Sequence, residues 1–189
     1  MKKFILFVWE IVKVALISAL IILPIRYFLI QPFFVKGSSM EPNFHDKQYL
    51  IIDEISYRFK APQRGQVIVF RYPRDPQEYF IKRIIGLPGE QVQIKDGKVV
   101  IYNSTHTNGL ILDEKYLPAS FVTDNQDDSK FTVGPNEYYV LGDNRSASKD
   151  SRYFGAVNDS FVTGKVLFRG WPFNEITVFN NNYWPKYNN

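Results

Sequence analysis

An apolar run at the N-terminus constrains the fold of this chain more than any other feature. Residues 14–25 contain no charged side chain, and Lys13 and Arg26 lie at the two ends of that stretch. A helix needs about 20 residues to span a bilayer, and basic side chains near its ends can extend to the interfaces. The pattern predicts a transmembrane helix from about residue 9 to 28, with residues 1–30 forming a cytoplasmic tip and a membrane anchor.

A cleaved secretory signal peptide is the alternative, because Lys2 and Lys3 precede the apolar run. Cleavage needs small residues, and only residues 17–19 (Ile-Ser-Ala) approach that pattern, inside the run itself. The sequence therefore favours an anchor. The two lysines favour a cytoplasmic N-terminus and an extracytoplasmic domain, although basic residues beyond the run weaken this bias.

Residues 31–189 are predicted to form one mostly β domain, a sandwich or barrel of short strands. Turn residues separate short apolar or alternating runs at 33–35, 49–52, 66–71, 79–85, 91–94, 98–102, 138–141, 165–169 and 176–179. Asp96 and Gly97 fit a two-residue hairpin loop. Residues 104–130 are polar and weakly patterned, so we expect a surface insertion there.

Composition narrows the chemistry that this domain can perform. The chain has no cysteine and only two histidines, which excludes thiolate catalysis, disulfides and a three-histidine zinc site. Four of the 23 basic residues but one of the 19 acidic residues lie in the first 35 positions, so the remainder is nearly neutral. Such a domain lacks the basic surface of a nucleic-acid-binding protein, and we expect no nucleic acid partner.

Two adjacent serines lie in a glycine-containing turn after the first short apolar run. Residues 36–42 are Lys-Gly-Ser-Ser-Met-Glu-Pro. Such a turn can project a hydroxyl and present backbone N–H groups to a developing oxyanion. Serine also favours turns for its own hydrogen bonds, and on local sequence an ordinary loop is the better explanation.

Lys82 and Arg83 interrupt a hydrophobic run between Ile81 and Ile84. Side chains alternate along a strand, so at least one of the two basic residues is drawn toward the core. Burial disfavours an ammonium group and lowers the pKa of a lysine, which can then act as a base. Taken alone, an exposed lysine on an edge strand is the more common situation.

Residues 142–152 combine turn formers, hydroxyls and opposite charges directly after an apolar run. A surface turn with ion pairs is the ordinary explanation. A functional loop would use one hydroxyl to orient the lysine, and Asp and Arg to fix the backbone. His45 and His106 lie among polar residues, and we expect them to be solvated rather than part of a Ser/His/Asp triad.

Taken together and in this order, these segments resemble the type I signal peptidases of bacteria, in the shorter Gram-positive form. The resemblance runs from the anchor to Trp171-Pro172-Phe173. It rests on four boxes: Ser-Met-x-Pro at 39–42, Arg-Gly-x-Val-x-Val-Phe at 64–70, Lys-Arg-x-x-Gly-x-Pro-Gly at 82–89 and Gly-Asp-Asn-Arg…Ser-x-Asp-Ser-Arg at 142–152. Four ordered boxes are far more specific than any one of them.

The resemblance implies a role for each matching residue. Ser39 corresponds to the nucleophile and, through its amide, to part of the oxyanion hole; Lys82 corresponds to the general base. Ser148 corresponds to the hydroxyl that orients the lysine. The supporting loop residues are Asp143, Asn144, Arg145, Asp150 and Arg152. Apolar pockets for small side chains at the −1 and −3 positions would be lined by Val35, Met40, Phe44, Phe80 and Ile81.

Three positions depart from the family pattern. Many relatives have a serine whose hydroxyl helps the oxyanion hole where this chain has Gly37, so the Ser39 amide would carry more of that task. Asn43 stands where threonine is usual and Gln66 where aspartate is usual, and neither is assigned a catalytic role.

The implied enzyme is a membrane-bound serine endopeptidase that removes N-terminal signal peptides from exported preproteins, without metal or cofactor. Its expected partners are secretory preproteins, the lipid bilayer and the translocation machinery. Two alternatives stay open: a related Ser/Lys peptidase of narrow specificity, and a noncatalytic anchored homologue that binds precursors. The presence of both Ser39 and Lys82 argues against the second.

Overall fold

The computed structural model describes residues 2–28, 30–124, 128–180 and 182–187. The chain begins with helix α1 (Lys2–Phe28). Within α1, Lys2–Leu23 is long and apolar enough to cross a membrane by length and composition, with a mean hydropathy of 2.4, and its residues do not pack into the domain. Helix α1 therefore begins before residue 9, the predicted start, and ends at residue 28, as predicted.

The predicted mostly β architecture is confirmed. The strands are β1 (Ile30–Phe34), β2 (Tyr49–Asp53), β3 (Val67–Tyr72), β4 (Asp75–Gly86), β5 (Gln91–Lys95), β6 (Lys98–Tyr102), β7 (Leu110–Ile111), β8 (Phe131–Thr132), β9 (Glu137–Leu141), β10 (Val157–Asn158), β11 (Val162–Trp171) and β12 (Thr177–Val178). A four-residue helix, α2 (Ser151–Phe154), precedes β10. Single 3-10 turns occur at Ser56–Arg58, Asp159–Phe161 and Phe173–Glu175.

These strands form two antiparallel sheets. The larger has the order β1-β2-β11-β3-β4-β9-β10, with β12 added to β11, and the smaller has the order β7-β6-β5-β8. Strand β3 lies inside the larger sheet and is almost continuously apolar, because both of its faces are covered. Val67 and Val69 pack into one apolar cluster, while Ile68 and Phe70 pack into another on the opposite face.

The β5–β6 hairpin illustrates how local sequence sets local structure. Val92 and Ile94 alternate with more exposed residues, and the smaller sheet buries this apolar side. Asp96 and Gly97 both have positive φ, 51° and 75°, as a type I′ turn requires. The predicted two-residue hairpin loop is confirmed.

Residues 104–130 are more than a surface insertion. Leu110–Ile111 forms β7 on the edge of β6, and Leu112 and Thr123 are buried. Glu114 and Tyr116 also turn inward, because Arg145 offers them a charged partner. Part of the segment therefore supports the loop at 142–152.

Candidate active site

Ser39 and Lys82 come together from separate parts of the chain. Ser39 lies in the turn that follows β1, and Lys82 lies on β4. Lys82 Nζ is 2.7 Å from Ser39 Oγ and 2.9 Å from the carbonyl oxygen of Ile81. A hydroxyl within hydrogen-bond reach of an amine has the geometry of a nucleophile and its base.

Lys82 is 3 % exposed, and among the described residues no carboxylate lies within ion-pair distance of it. Burial therefore lowers the pKa of Lys82 to about 8, while the more distant Asp150 and Asp143 oppose the decrease. The ring of Phe80 lies 5.2 Å from Nζ and adds to the apolar surroundings. A lysine in this setting is partly neutral near pH 8.

The neighbouring Arg83 is buried as well, but it is paired. Its Nε and Nη2 atoms donate to both oxygens of Asp143 at 2.8 and 2.6 Å, and Nη1 donates to the Gly65 carbonyl. The bidentate pair neutralises Asp143 close to Lys82. Lys82 and Arg83 are both buried, so the prediction that at least one of them turns toward the core is confirmed.

Asn43 is a residue whose part in the site was not predicted. Its side-chain amide donates to Asp143 Oδ2 at 2.8 Å and to the Tyr116 carbonyl at 3.0 Å. It thereby joins the turn that carries Ser39 to the Arg83–Asp143 pair. Gln66, the other departure from the pattern, accepts hydrogen bonds from Tyr57 and Gln63 and braces a loop instead.

The loop at 142–152 clamps the turn that carries Ser39. The Asn144 backbone donates to the Ser39 carbonyl at 3.1 Å, and its side chain donates to the Ser38 carbonyl at 3.2 Å. A Cβ on Gly142 would collide with Ser148 and with the Ser39 carbonyl. Only glycine allows the two segments to approach this closely.

Ion pairs hold the loop itself. Asp150 accepts hydrogen bonds from the Arg152 guanidinium and from the Gly142 amide. Arg145 pairs with Glu114 and also donates to Thr123, which ties the loop to the 104–130 segment. The buried positions of these groups make the pairing necessary, since an unpaired charge there would be costly.

Ser148 lies at the site without contacting Lys82 through a hydrogen bond. Its hydroxyl is buried, and among the described residues it has no hydrogen-bond partner. Its predicted role in orienting the lysine stays a prediction. His45 lies beside Glu41 at the surface and His106 beside Asn103, so neither belongs to the Ser39–Lys82 pair.

A cleft of about 730 Å³ opens beside Ser39 and Lys82. Three of the residues predicted for the substrate pockets, Val35, Phe80 and Ile81, line this cleft together with residues of β1 and the first part of β4. Met40 and Phe44 do not line this cleft; they are 1 % and 0 % exposed and belong to the core cluster that also contains Val35. The turn after Ser39 points both side chains inward, and their predicted contact with substrate stays a prediction.

Two backbone amides near Ser39 differ in their bonding. The Gly37 N–H donates to Asp46 Oδ1 at 2.8 Å and is already used. The Ser39 N–H donates to no acceptor within the described part of the chain. The Ser39 amide is thus a donor that a bound group could use.

Comparisons with known proteins agree with this geometry. The model of a family described as signal peptidase, peptidase S26, matches residues 8–171. A probable signal peptidase I-2 of Synechocystis is 36 % identical over 174 residues, covering 86 % of this chain and 73 % of that protein. Signal peptidase IB of Staphylococcus aureus is 32 % identical over 184 residues, covering 90 % and 91 %.

A crystal structure of a signal peptidase I from Enterococcus faecalis is 36 % identical, with a TM-score of 0.46, and covers 56 % of this chain and 97 % of that one. The family match spans most of the present chain, and the two curated relatives align along most of their own length. This chain therefore belongs to the signal peptidase family, peptidase S26, as one of its bacterial type I members, and it is a serine peptidase.

Proposed function

We propose that this protein is a membrane-bound endopeptidase that removes signal peptides from exported preproteins, with Ser39 as nucleophile and Lys82 as general base. The observation that carries the proposal is the 2.7 Å separation of Lys82 Nζ and Ser39 Oγ, with the lysine buried and lacking a carboxylate partner among the described residues. A lysine of lowered pKa can accept a proton near neutral pH.

In the proposed reaction, neutral Lys82 takes the hydroxyl proton of Ser39 as Oγ attacks the scissile carbonyl. Lys82 then donates that proton to the departing amine, the C–N bond breaks, and an acyl-enzyme on Ser39 remains. A water molecule next gives a proton to Lys82 and attacks the ester carbonyl. Proton return to Ser39 releases the new carboxyl terminus and regenerates neutral Lys82.

The oxyanion of each tetrahedral intermediate would be stabilised by the Ser39 amide. This amide has no other acceptor in the described structure, whereas the Gly37 amide is engaged by Asp46. Preorganised backbone donors stabilise developing charge because they need no reorganisation during the reaction.

The cleft supports binding of an extended peptide. In the described structure β1 pairs with β2 on one side, and residues 75–81 of β4 pair with β3 on one side, so each leaves one edge open beside the cleft. A peptide strand added to such edges gains main-chain hydrogen bonds. Val35, Phe80 and Ile81 would then limit the −1 and −3 side chains to small ones by exclusion.

The remaining site residues have supporting roles in this proposal. Ser148 would donate or accept a hydrogen bond at Lys82 after a small rotation of its side chain. The ion pairs of Asp143 and Asp150, together with Asn144 and Arg145, would keep the loop against the turn that carries Ser39. Each carboxylate is neutralised by an arginine, which preserves the low pKa of Lys82.

Helix α1 would hold the catalytic domain, residues 31–189, at the membrane surface, where secretory preproteins arrive from the translocation machinery. The N-terminus would face the cytoplasm and the domain the opposite side. A reporter fused at the C-terminus that is active only in the cytosol would overturn this orientation.

The test is cleavage of a preprotein with Ala at −1 and −3 by the full-length protein in detergent or lipid. Wild type should cut after the Ala site, and Ser39→Ala and Lys82→Ala should each abolish cutting. Ser104→Ala and Lys95→Ala, at exposed positions away from the site, are the matched controls and should retain full activity.

The alternatives give different results. Wild type that cuts only some Ala-containing preproteins, still with dependence on Ser39 and Lys82, would indicate a peptidase of narrow specificity. Folded wild type that binds preproteins and cuts none would overturn the proposal in favour of a noncatalytic homologue.

A further inference from the structure

The C-terminal tail, residues 182–187, folds back onto the domain behind the active site. It lies beyond residue 171, where the family match ends. Trp184 is 5 % exposed and belongs to the same core cluster as Val35 and Met40. A buried tryptophan this close to the chain terminus indicates that the tail is part of the packed structure.

Aromatic contacts connect Trp184 to the turn that carries Ser39. The Trp184 ring stacks on Phe179 at 5.5 Å, and Phe179 stacks on Phe44 at 5.2 Å. Phe44 closes the turn, since its backbone N–H donates to the Met40 carbonyl at 2.9 Å. The tail thus contacts this turn through a row of three stacked rings.

The tail also encloses Arg83. The Arg83 guanidinium lies near two aromatic rings, 3.9 Å from the centre of Tyr116 and 6.0 Å from that of Trp184. Pro185 packs on Gly65, where a Cβ would approach the proline ring to 2.9 Å. The Gly65 carbonyl is an acceptor for Arg83 at 2.8 Å, so the tail covers both the cation and its backbone partner.

The packing of the tail on Arg83 affects the proposed base, because the pKa of Lys82 depends on the charged groups around it. The charged groups that act on Lys82 are Asp150 and Asp143, and their partners are Arg152 and Arg83. If Arg83 lost its place or became solvated, Asp143 would hold a proton on Lys82 more strongly, and water would also favour the ammonium form. Both effects would raise the pKa of Lys82.

We propose that the tail is a positioning element of the Ser39–Lys82 pair, in which Trp184 and Pro185 hold Arg83 on Asp143 and exclude water from that ion pair. The inference rests on the proposed function, because it concerns the same base. It assigns a catalytic consequence to residues that do not touch the cleft.

The experiment compares Trp184→Ala, Trp184→Phe and Lys186→Ala in the full-length protein, by kcat at pH 7.5, by the pH profile of kcat/KM and by thermal melting. Trp184→Ala should lower kcat about tenfold or more at pH 7.5, and the midpoint of its acidic limb should rise by about one pH unit. Trp184→Phe keeps an aromatic ring over Arg83, so its kcat and the midpoint of its acidic limb should both lie close to the wild-type values. Lys186 is exposed, and its variant should match wild type.

A folded Trp184→Ala variant with the wild-type kcat and acidic limb would overturn the inference. A variant with lower stability and reduced kcat but an unchanged limb would do so as well, since that is the signature of general destabilisation. Absence of cleavage by wild type would instead count against the proposed function, so the two failures are distinguishable.

Discussion

Lys82 and Arg83 are adjacent and both buried, yet only Arg83 has a carboxylate partner among the described residues. Strand alternation sends one side chain to Ser39 and the other to Asp143. The pairing of Arg83 with Asp143 offsets one of the two negative charges that act on Lys82. Two similar side chains thereby acquire opposite tasks, one as a group that can lose its proton and one as a permanent cation.

The pH dependence of cleavage should report the neutral fraction of Lys82. Because the pKa of Lys82 is about 8, kcat/KM should rise with pH through an acidic limb with its midpoint near that value. The measurement is kcat/KM from pH 6 to 10 on one preprotein. A profile already flat at pH 6.5 would show that the base titrates elsewhere.

The Lys82→Met variant should be inactive but more stable to unfolding than wild type near neutral pH. The pKa of Lys82 falls from 10.5 unfolded to about 8 folded, so folding favours the neutral form and costs about 3 kcal/mol below pH 8. The unfolded state binds the extra proton between pH 8 and 10.5, and this cost disappears across that interval.

Denaturant unfolding of wild type and Lys82→Met at several pH values would measure the difference. The advantage of the variant should be largest at pH 7 and shrink toward pH 10.5. An advantage that grew with pH would contradict the assigned direction of the pKa change.

Asp143→Asn should be strongly destabilising. It leaves Arg83 buried without its counterion, and breaking a buried pair in this way costs about 3–5 kcal/mol. Asp113→Asn is the matched control, because Asp113 pairs with Lys115 at the surface, where such a pair contributes about 0–1 kcal/mol. Thermal melting or urea unfolding of the two variants distinguishes them; equal effects would refute the buried role of Asp143.

Gly142→Ala should reduce kcat by about 100-fold, since the added methyl group would push the loop away from the Ser39 carbonyl and disturb the turn. Gly89→Ala is the control. Gly89 has φ of +80° but open space around its Cβ position, so we expect about 1 kcal/mol of strain and an unchanged kcat. Similar losses of kcat in both variants would show that backbone strain, rather than the close approach at Ser39, is responsible.

Local patterns were enough to predict much of the fold. The β5–β6 hairpin follows from apolar alternation and a turn that tolerates positive φ, both of which are properties of neighbouring residues. Strand β4 begins at Asp75 rather than at the predicted residue 79, because its first residues are polar and obtain their strand geometry from pairing with β3. Such extension depends on tertiary contacts that a short window does not contain.

The candidate site was predictable only as separate segments. The family pattern connected Ser39 with Lys82, and the structure brings them together. The burial of Tyr116 against Arg83 was not predicted, because a polar, weakly patterned segment resembles a surface loop until its partner is known. The substrate contacts of Met40 and Phe44 stay a prediction, because apolar type alone does not tell a cleft wall from the core behind it.

The way Asn144 holds the Ser38 and Ser39 carbonyls has a consequence for biosynthesis. Ser39 and Lys82 are 43 positions apart, and the amide that clamps the turn is 106 positions from Ser38. Strand β11, which pairs with β2 and β3, comes later still. A nascent chain that has emerged only through β6 contains Ser39 and Lys82 but neither Asn144 nor the complete sheet. If Ser39 and Lys82 form the proposed catalytic pair, the chain therefore acquires proteolytic activity only after Asn144 and β11 have been synthesised.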